Sequence, residues 1–357
     1  MYDILPPELW IQILDYTGEI MLLLTDKYFF GLFNLIDTNF DVLKYVVKNN
    51  NLCLLKYIDE LKVLKNPIVN KTIFNSLSIN ECLIIGCSYG YYDMVEYLIN
   101  KDADIFMKNN YPIRLASYNG YHDIVKLLVN SGANPRDNDD EAIRWAAENG
   151  HLEIIKYLVA KNANIKSKDD YAMRNASRFG HIETVKYLVS QGSDISAKDN
   201  YAIKWSSENG HIEIVKYLVD QGCNFKIHDN YALRRASYNG HFEVVKFLVE
   251  MGSDVTDNRN EAVRFAAKDG HVKIVEFLVN HGADFKSKNN YAIRWASRQG
   301  HIEVVKYLVS LGSNISAKNN YAINWASKNN HTEIVEYLLM IKYDTYNKTI
   351  ENYLFKI

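Results

Sequence analysis

The sequence lacks the cysteine pattern that marks disulfide-rich secreted proteins and zinc proteins. Only four of its 357 residues are cysteines, at Cys53, Cys82, Cys87 and Cys223. No two of them form a CxxC pair and their spacing is irregular, so the sequence indicates neither a disulfide framework nor a zinc site. We interpret them as reduced, mostly buried thiols of an intracellular protein, and we expect no metal and no cofactor.

The sequence also lacks an excess of charge of one sign and a long apolar run. Lysine and arginine total 41 against 43 acidic residues, a formal net charge of −2, whereas a nucleic-acid-binding domain normally shows a strong basic excess. The most apolar window, residues 19–36, is interrupted by Asp26 and Lys27 before it reaches spanning length. Residues 1–10 lack the basic start and apolar run of a signal peptide. We therefore expect a cytoplasmic protein that binds neither nucleic acid nor membranes.

What the sequence has in abundance is repetition. The stretch NGHIEIVKYLV occupies residues 209–219, and near-copies begin at 149 and 299. A histidine recurs every thirty residues, at His151, His181, His211, His241, His271, His301 and His331. Tyr121 and Tyr91 hold the same place farther back, so frames that begin between 81 and 321 make nine units. A fixed period of this size is typical of a solenoid, in which each unit leaves one apolar face for its neighbours to cover.

One unit, residues 201–230, predicts a helical hairpin. Small or branched residues in its first block fit one face of a short helix, which Asn209-Gly210 then ends because glycine tolerates a left-handed backbone. A second apolar face follows, and Gln221-Gly222 stops that helix. The two predicted faces consist of Ala202, Ile203 and Ser206, and of Ile212, Val215, Leu218 and Val219. We expect the remaining residues, CNFKIHDN, to form a short extended turn to the next unit.

Two columns of small residues favour close stacking of the units. Positions are counted from the first residue of each frame, so that position 1 is residue 81, 111, 141 and so on. Position 6 holds Ala116, Ala146, Ala176, Ser206, Ala236, Ala266, Ala296 and Ala326. Position 23 holds Ala103, Ala133, Ala163, Ser193, Cys223, Ser253, Ala283 and Ser313. Small side chains let neighbouring helices approach closely, so we interpret Cys223 as a small packing residue and not as a nucleophile.

Residues 292–320, AIRWASRQGHIEVVKYLVSLGSNISAKNN, resemble the ankyrin repeat, and the resemblance covers residues 81 to about 340. It implies an all-α solenoid of stacked helical hairpins that binds a protein target on its concave face, and we expect a monomer. The units have thirty residues where the family usually has thirty-three. Since the missing residues fall in the loop, we expect a shortened hairpin tip. Tyr291-Ala292-Ile293-Arg294 replaces the T-P-L-H motif of the family, so its hydrogen-bond network is not assumed.

The histidine column has the H-x-E spacing of zinc deaminases but lacks their P-C-x-x-C partner. Successive histidines sit one repeat apart, roughly 10 Å for stacked helices, which is too far to share a metal. We therefore predict a structural role for each histidine at the start of the second helix. No metal site and no catalytic residue is predicted.

Position 4 carries a column of cations, interrupted only near the two ends of the array. Its members are Arg114, Arg144, Arg174, Lys204, Arg234, Arg264 and Arg294. They could bind an acidic partner or a phosphate backbone. We favour pairing with acids or carbonyls of the adjacent unit, because the column barely varies. The tyrosines at position 1, replaced by Glu141 and Glu261, are interpreted in the same way.

Partner specificity is expected where the copies differ and stay exposed. Position 8 does so, and in ankyrin proteins this row lies near the concave face. We predict its residues as the partner surface: Tyr118, Glu148, Arg178, Glu208, Tyr238, Lys268, Arg298 and Lys328. Tyrosine, tryptophan and arginine are common interface anchors. Position 5 holds Leu115, Trp145, Asn175, Trp205, Arg235, Phe265, Trp295 and Trp325, and both core packing and surface exposure stay open for it.

The first thirty-seven residues do not follow the period. Their opening, LPPELWIQIL, resembles an F-box, the helical module that docks the Skp adaptor of cullin ubiquitin ligases. The matching residues are Leu5, Pro6, Glu8, Leu9, Ile13 and Leu14. The resemblance implies that Leu5, Pro6, Leu9, Trp10 and Leu14 bind the adaptor. The alternative is a cap for the open end of the stack, which a solenoid requires.

We therefore predict four parts: residues 1–37, an F-box-like segment or cap; 38–80, a degenerate hairpin and connection; 81–340, nine repeats; and 341–357, a closing tail. The predicted function is non-enzymatic protein binding, with the chain as a substrate receptor of a cullin ligase. A scaffold or competitive inhibitor without any ligase link is the alternative. The resemblance extends to ankyrin proteins of large DNA viruses, which suggests a protein that acts on a host.

Overall fold

The computed structural model describes residues 42–63 and 78–354, and over these ranges the chain forms twenty α-helices and no β-strand. It divides into two compact units, Met1–Ile165 and Lys166–Ile357. The predicted fold class, an all-α ankyrin-repeat solenoid of stacked hairpins, is confirmed. The F-box-like segment lies outside the described residues, and the predicted boundaries of the four parts stay predictions.

The first unit contains eight of the described helices. They are α1 (Val42–Lys48), α2 (Leu52–Val63), α3 (Ile79–Tyr89), α4 (Tyr92–Ile99), α5 (Met107–Asn119), α6 (His122–Asn130), α7 (Asp137–Glu148) and α8 (Leu152–Ala160). The first helices of successive hairpins, α3, α5 and α7, pack side by side, and so do the second helices, α4, α6 and α8. Helix α1 packs against α2 and α3.

The second unit contains six hairpins with the same arrangement. Their first helices are α9 (Ser167–Phe179), α11 (Ala197–Glu208), α13 (Ile227–Tyr238), α15 (Asp257–Lys268), α17 (Ser287–Gln299) and α19 (Ala317–Lys328). Their second helices are α10 (Ile182–Ser190), α12 (Ile212–Asp220), α14 (Phe242–Glu250), α16 (Val272–Asn280), α18 (Ile302–Ser310) and α20 (Thr332–Leu354). Helix α20 continues through residue 340, where the sequence suggested that a closing tail replaces the loop.

The core of each hairpin follows the apolar periodicity, with one correction. In the unit at 201–230, the predicted face of the first helix is fully buried. On α12 the buried residues are Ile214, Val215, Leu218 and Val219. Ile212 was wrongly assigned to this face. It is the first residue of the helix and is only half-buried, at a position whose equivalent Phe242 meets the Phe277 ring of the next hairpin edge to face.

The connection between hairpins is a left-handed turn and not the extended segment that the sequence suggested. Before α9 becomes right-handed, Lys168, Asp169 and Asp170 have φ of 54°, 57° and 55° with positive ψ. The same three positions are left-handed at the start of every first helix from α5 to α19. Asn and Asp tolerate this conformation best among residues with a side chain, and they dominate these positions. The tight turn explains how a thirty-residue unit closes.

Candidate partner-binding surface

The position-8 row lies in the last turn of each first helix, and its side chains pack on position 5 of the next hairpin. In the first unit, the rings of Tyr118 and Trp145 meet edge to face, 5.7 Å apart. In the second unit, Tyr238 and Phe265 repeat that geometry at 5.7 Å. Two rows that the sequence presented as separate columns thus form one line of contacts between hairpins.

Cations replace the tyrosine where the position-5 partner is a tryptophan in the second unit. The guanidinium carbon of Arg178 lies 4.6 Å from the Trp205 ring centroid. That of Arg298 lies 4.2 Å from the Trp325 centroid. A cation over an indole face is attracted by the quadrupole of the ring, so these side chains are held in place while their charge stays near solvent. We name the whole line in the second unit the ladder: Arg178, Trp205, Glu208, Arg235, Tyr238, Phe265, Lys268, Trp295, Arg298, Trp325 and Lys328.

Glu208 departs from the predicted exposure of the row. Its exposed fraction is 8%, because its carboxylate pairs with Arg235 of the next hairpin and accepts a hydrogen bond from the Tyr231 hydroxyl at 3.2 Å. The hydrogen bond to Glu208 raises the pKa of Arg235. Burial, and then the Glu208 charge, raises the pKa of Tyr231. Within the row, Glu208 is therefore a buried structural anion in this unit.

The other position-8 residues keep part of their surface open to solvent. Tyr118 is 44% exposed, Lys328 is exposed, and the remaining members are half-buried. The position-5 aromatic residues are half-buried as well. Core packing and surface exposure, the two alternatives for the position-5 tryptophans, therefore both apply, since each indole contacts the neighbouring hairpin with one part and solvent with another.

The backbone beneath the position-8 row is anchored by the next hairpin. The Arg178 carbonyl oxygen accepts hydrogen bonds from His211 Nε2 at 2.9 Å and from Asn209 Nδ2 at 2.8 Å. The same pair of donors serves Glu208 and Arg298 in later hairpins. Because a carbonyl oxygen only accepts, Nε2 of these histidines carries the proton. The histidine column thus holds the position-8 row in register, a role that the sequence alone did not identify.

The histidine ring also explains the glycine that ends most of the first helices. Gly180 has φ of 88° and lies so close to His211 that an added Cβ would approach the ring to 2.8 Å. Burial lowers the pKa of His241 and of His301 below the usual histidine value. The neutral ring is therefore favoured in the folded chain.

The position-4 arginines stabilise the left-handed turns. Arg174 donates from Nε to the Asp169 carbonyl at 2.7 Å and from Nη2 to the Lys168 carbonyl at 3.0 Å. Its guanidinium carbon lies 4.9 Å from the ring of Tyr201. Both carbonyls belong to the loop that ends the preceding frame, so the favoured pairing of Arg174 with carbonyls of the adjacent unit is found here. In the described hairpins this column is a structural element of the repeat.

The alternation at position 1 follows from the same contact. Where the next hairpin begins with tyrosine, the arginine lies over the ring, as Arg294 does over Tyr321 at 5.0 Å. Where it begins with glutamate, the arginine forms an ion pair, as Arg234 does with Glu261. Tyrosine and glutamate both satisfy a guanidinium, so the two residue types exchange at one position.

Other candidate sites are poorly supported. Over residues 42–63 and 78–354, no group of three or more His, Cys, Asp or Glu side chains is placed to bind a metal ion. No helix within those ranges is long and apolar enough to cross a membrane. Burial raises the pKa of the Cys223 thiol to about 11, which makes it a poor nucleophile. The predicted adaptor-binding residues Leu5, Pro6, Leu9, Trp10 and Leu14 lie outside the described part of the chain.

Comparison with known proteins agrees with the hairpin geometry. A family profile described as "Ankyrin repeats (3 copies)" matches residues 83–169, 113–199, 172–259, 233–319 and 263–352. Ankyrin repeat protein R840 of Acanthamoeba polyphaga mimivirus is 48% identical over 115 residues, 32% of this chain and 22% of that relative. Proteins R844 and R873 of the same virus are 45% and 47% identical over 119 residues, 33% of this chain and 56% and 25% of those relatives.

The aligned segments cover less than two thirds of each of these three relatives. The matched profile spans both units and is not that of a catalytic family. Ankyrin repeats are protein–protein interaction modules. The chain belongs to the ankyrin-repeat family.

Proposed function

We propose that the chain acts by holding a protein partner along its position-8 row, on the concave side, without chemistry of its own. One observation carries this proposal. Most columns of the repeat are almost invariant because they build the hairpin, whereas position 8 changes from tyrosine to glutamate, arginine and lysine. Its backbone is nonetheless fixed by the histidine of the next hairpin, which an asparagine joins at Arg178, Glu208 and Arg298. A rigid backbone that presents varied side chains suits selective recognition.

Site-specific cross-linking tests this surface. We expect a photoreactive phenylalanine at Tyr118 or at Tyr238 to cross-link the same protein in an extract of host cells. The control position is Lys246, which is exposed on the second helix α14. Equal cross-linking from Lys246 would contradict the proposal.

We further propose that residues 1–37 dock the Skp adaptor, which would make the chain a cytoplasmic, monomeric substrate receptor of a cullin ligase. The support is the match of Leu5, Pro6, Glu8 and Leu9 to the F-box opening. A scaffold or competitive inhibitor of a host protein is the second candidate. It is favoured by the viral relatives, whose similarity to this chain concerns repeats.

Calorimetry with the Skp adaptor separates the two candidates. The full chain should bind the adaptor, Leu9→Asp should abolish binding, and Lys328→Met should leave it unchanged. Since Lys328 lies on the ladder, it is a control for damage to the repeats. A folded full chain that fails to bind the adaptor would exclude the ligase role and leave the scaffold or inhibitor.

A further inference from the structure

The last three cations of the ladder, Lys268, Arg298 and Lys328, have no carboxylate partner in the part of the chain that the structure describes. Among the described residues, Lys268, Arg298 and Lys328 form no ion pair, whereas Arg234 and Arg235 in the same unit each pair with a glutamate. The three occupy position 8 of successive hairpins. They therefore form a run of charges that the fold itself does not neutralise.

Aromatic rings hold these cations in a line. Lys268 Nζ lies 5.6 Å and Arg298 Cζ 4.5 Å from the same Trp295 ring centroid. Around the next ring, Arg298 Cζ lies 4.2 Å and Lys328 Nζ 4.5 Å from the Trp325 centroid. Each tryptophan thus separates two cations, and each cation is oriented without losing its charge. A preorganised cation costs less to immobilise when a partner binds.

The nearby acidic residues Glu208 and Asp269 do not neutralise the charges of Lys268, Arg298 and Lys328. Glu208 is buried and paired with Arg235. Asp269 follows Lys268 in sequence, but one of its carboxylate oxygens is buried. Burial raises the pKa of Tyr291 and lowers the pKa of His301, and the Asp269 charge makes a smaller upward contribution to both pKa values. The Asp269 carboxylate therefore interacts electrostatically with Tyr291 and His301 of the next hairpin.

The spacing of the run indicates how a ligand would match it. Neighbouring cations share a ring and lie on adjacent packed helices, whose axes are roughly 8–10 Å apart. An extended chain of the polyproline type advances about 3.1 Å per residue and places every third side chain on one face. One carboxylate in every three residues would therefore meet one cation per hairpin.

We propose that Lys268, Arg298 and Lys328 bind an acidic segment of the protein partner, with carboxylates at three-residue intervals in an extended conformation. This inference rests on the proposed function and names the chemistry of the partner. A nucleic acid is a poorer match. One strand carries a charge about every 3.4 Å, far denser than one cation per hairpin, and the chain as a whole has a net charge of −2.

Fluorescence anisotropy with labelled peptides and the full chain tests this proposal. The probe is a proline-rich peptide with three glutamates at i, i+3 and i+6. Its controls are a peptide of the same composition with contiguous glutamates and one with glutamines. We expect the spaced peptide to bind at least fivefold more tightly than either. Lys268→Met and Lys328→Met should each weaken binding severalfold, whereas Lys246→Met should have no effect.

Three results would overturn the proposal: equal affinity for the spaced and contiguous peptides, no effect of the two ladder variants, or tighter binding of a single-stranded oligonucleotide of equal charge. Circular dichroism of each variant excludes loss of fold as the cause of weak binding. If cross-linking from Tyr238 still yields a protein adduct, only the acidic-segment proposal fails. If cross-linking also fails, the position-8 surface itself is wrong.

Discussion

The Nε2–H group of His211 donates to the carbonyl oxygen of Arg178 across 2.9 Å, one hairpin earlier in the chain. The same ring occupies the space that a Cβ on Gly180 would need. Three conspicuous columns of the repeat, histidine, glycine and position 8, therefore meet at one point between hairpins. This contact explains why a glycine followed by a histidine recurs in the sequence.

Gly180→Ala should destabilise the chain more than Gly192→Ala. Both glycines have positive φ, 88° and 91°, but nothing lies within 4 Å of a Cβ at Gly192. The control substitution therefore incurs only the left-handed backbone cost, roughly 1–2 kcal/mol. The clash with His211 should add about 1–3 kcal/mol. Urea unfolding of both variants checks this, and equal losses would show that the ring adapts freely.

Folding stability should fall as the pH drops from 7.5 to 5.5. The pKa values of His241 and His301 are lowered in the folded chain, so the unfolded chain takes up protons first, near pH 6.5. Stability is therefore retained above that pH and lost below it. The double variant His241→Gln and His301→Gln should lose less stability over this interval. An identical loss in wild type and variant would assign the pH dependence to other groups.

Leu188→Ala should lower the free energy of unfolding by about 2–5 kcal/mol, because Leu188 is fully buried and its truncation leaves a cavity. Lys186→Ala, on the exposed face of the same helix, is the matched control. Denaturant unfolding should show a small change for the lysine variant. A loss near zero for Leu188→Ala would mean that the buried face of α10 is assigned wrongly.

Much of the fold could be predicted from the sequence because its causes are local. Glycine at the end of every first helix from α3 to α17 and small residues at position 6 are steric requirements, and both recur every thirty residues. The left-handed turn was missed, since Asn and Asp at 169, 170 and their equivalents also suit ordinary turns. A column of Asn and Asp before every first helix was the signal that could have found it.

The candidate surface was only partly predictable because it depends on pairs of residues in different hairpins. Variation singled out position 8, but no one-unit pattern shows that position 8 packs on position 5 of the next copy. Reading Glu208 together with Arg235, one frame later, would have indicated the ion pair that buries it. For the position-4 arginines, pairing with the adjacent unit could be predicted from the nearly invariant column, but the left-handed turn that presents the carbonyls could not.

Arg174 and Arg178 lie one turn apart on α9, yet we assign them opposite roles. Arg174 supports the turn and is 8% exposed, whereas Arg178 lies over Trp205 at the half-open surface. The most direct measurement is urea unfolding of Arg174→Met beside Arg178→Met. We predict a loss of about 1.5–3 kcal/mol for the first, as for hydrogen bonds to a charged group. For the second we predict no more than about 0.5–1 kcal/mol, as for an exposed cation–π contact. Equal losses would contradict the division between columns that build the repeat and a row that is left to bind a partner.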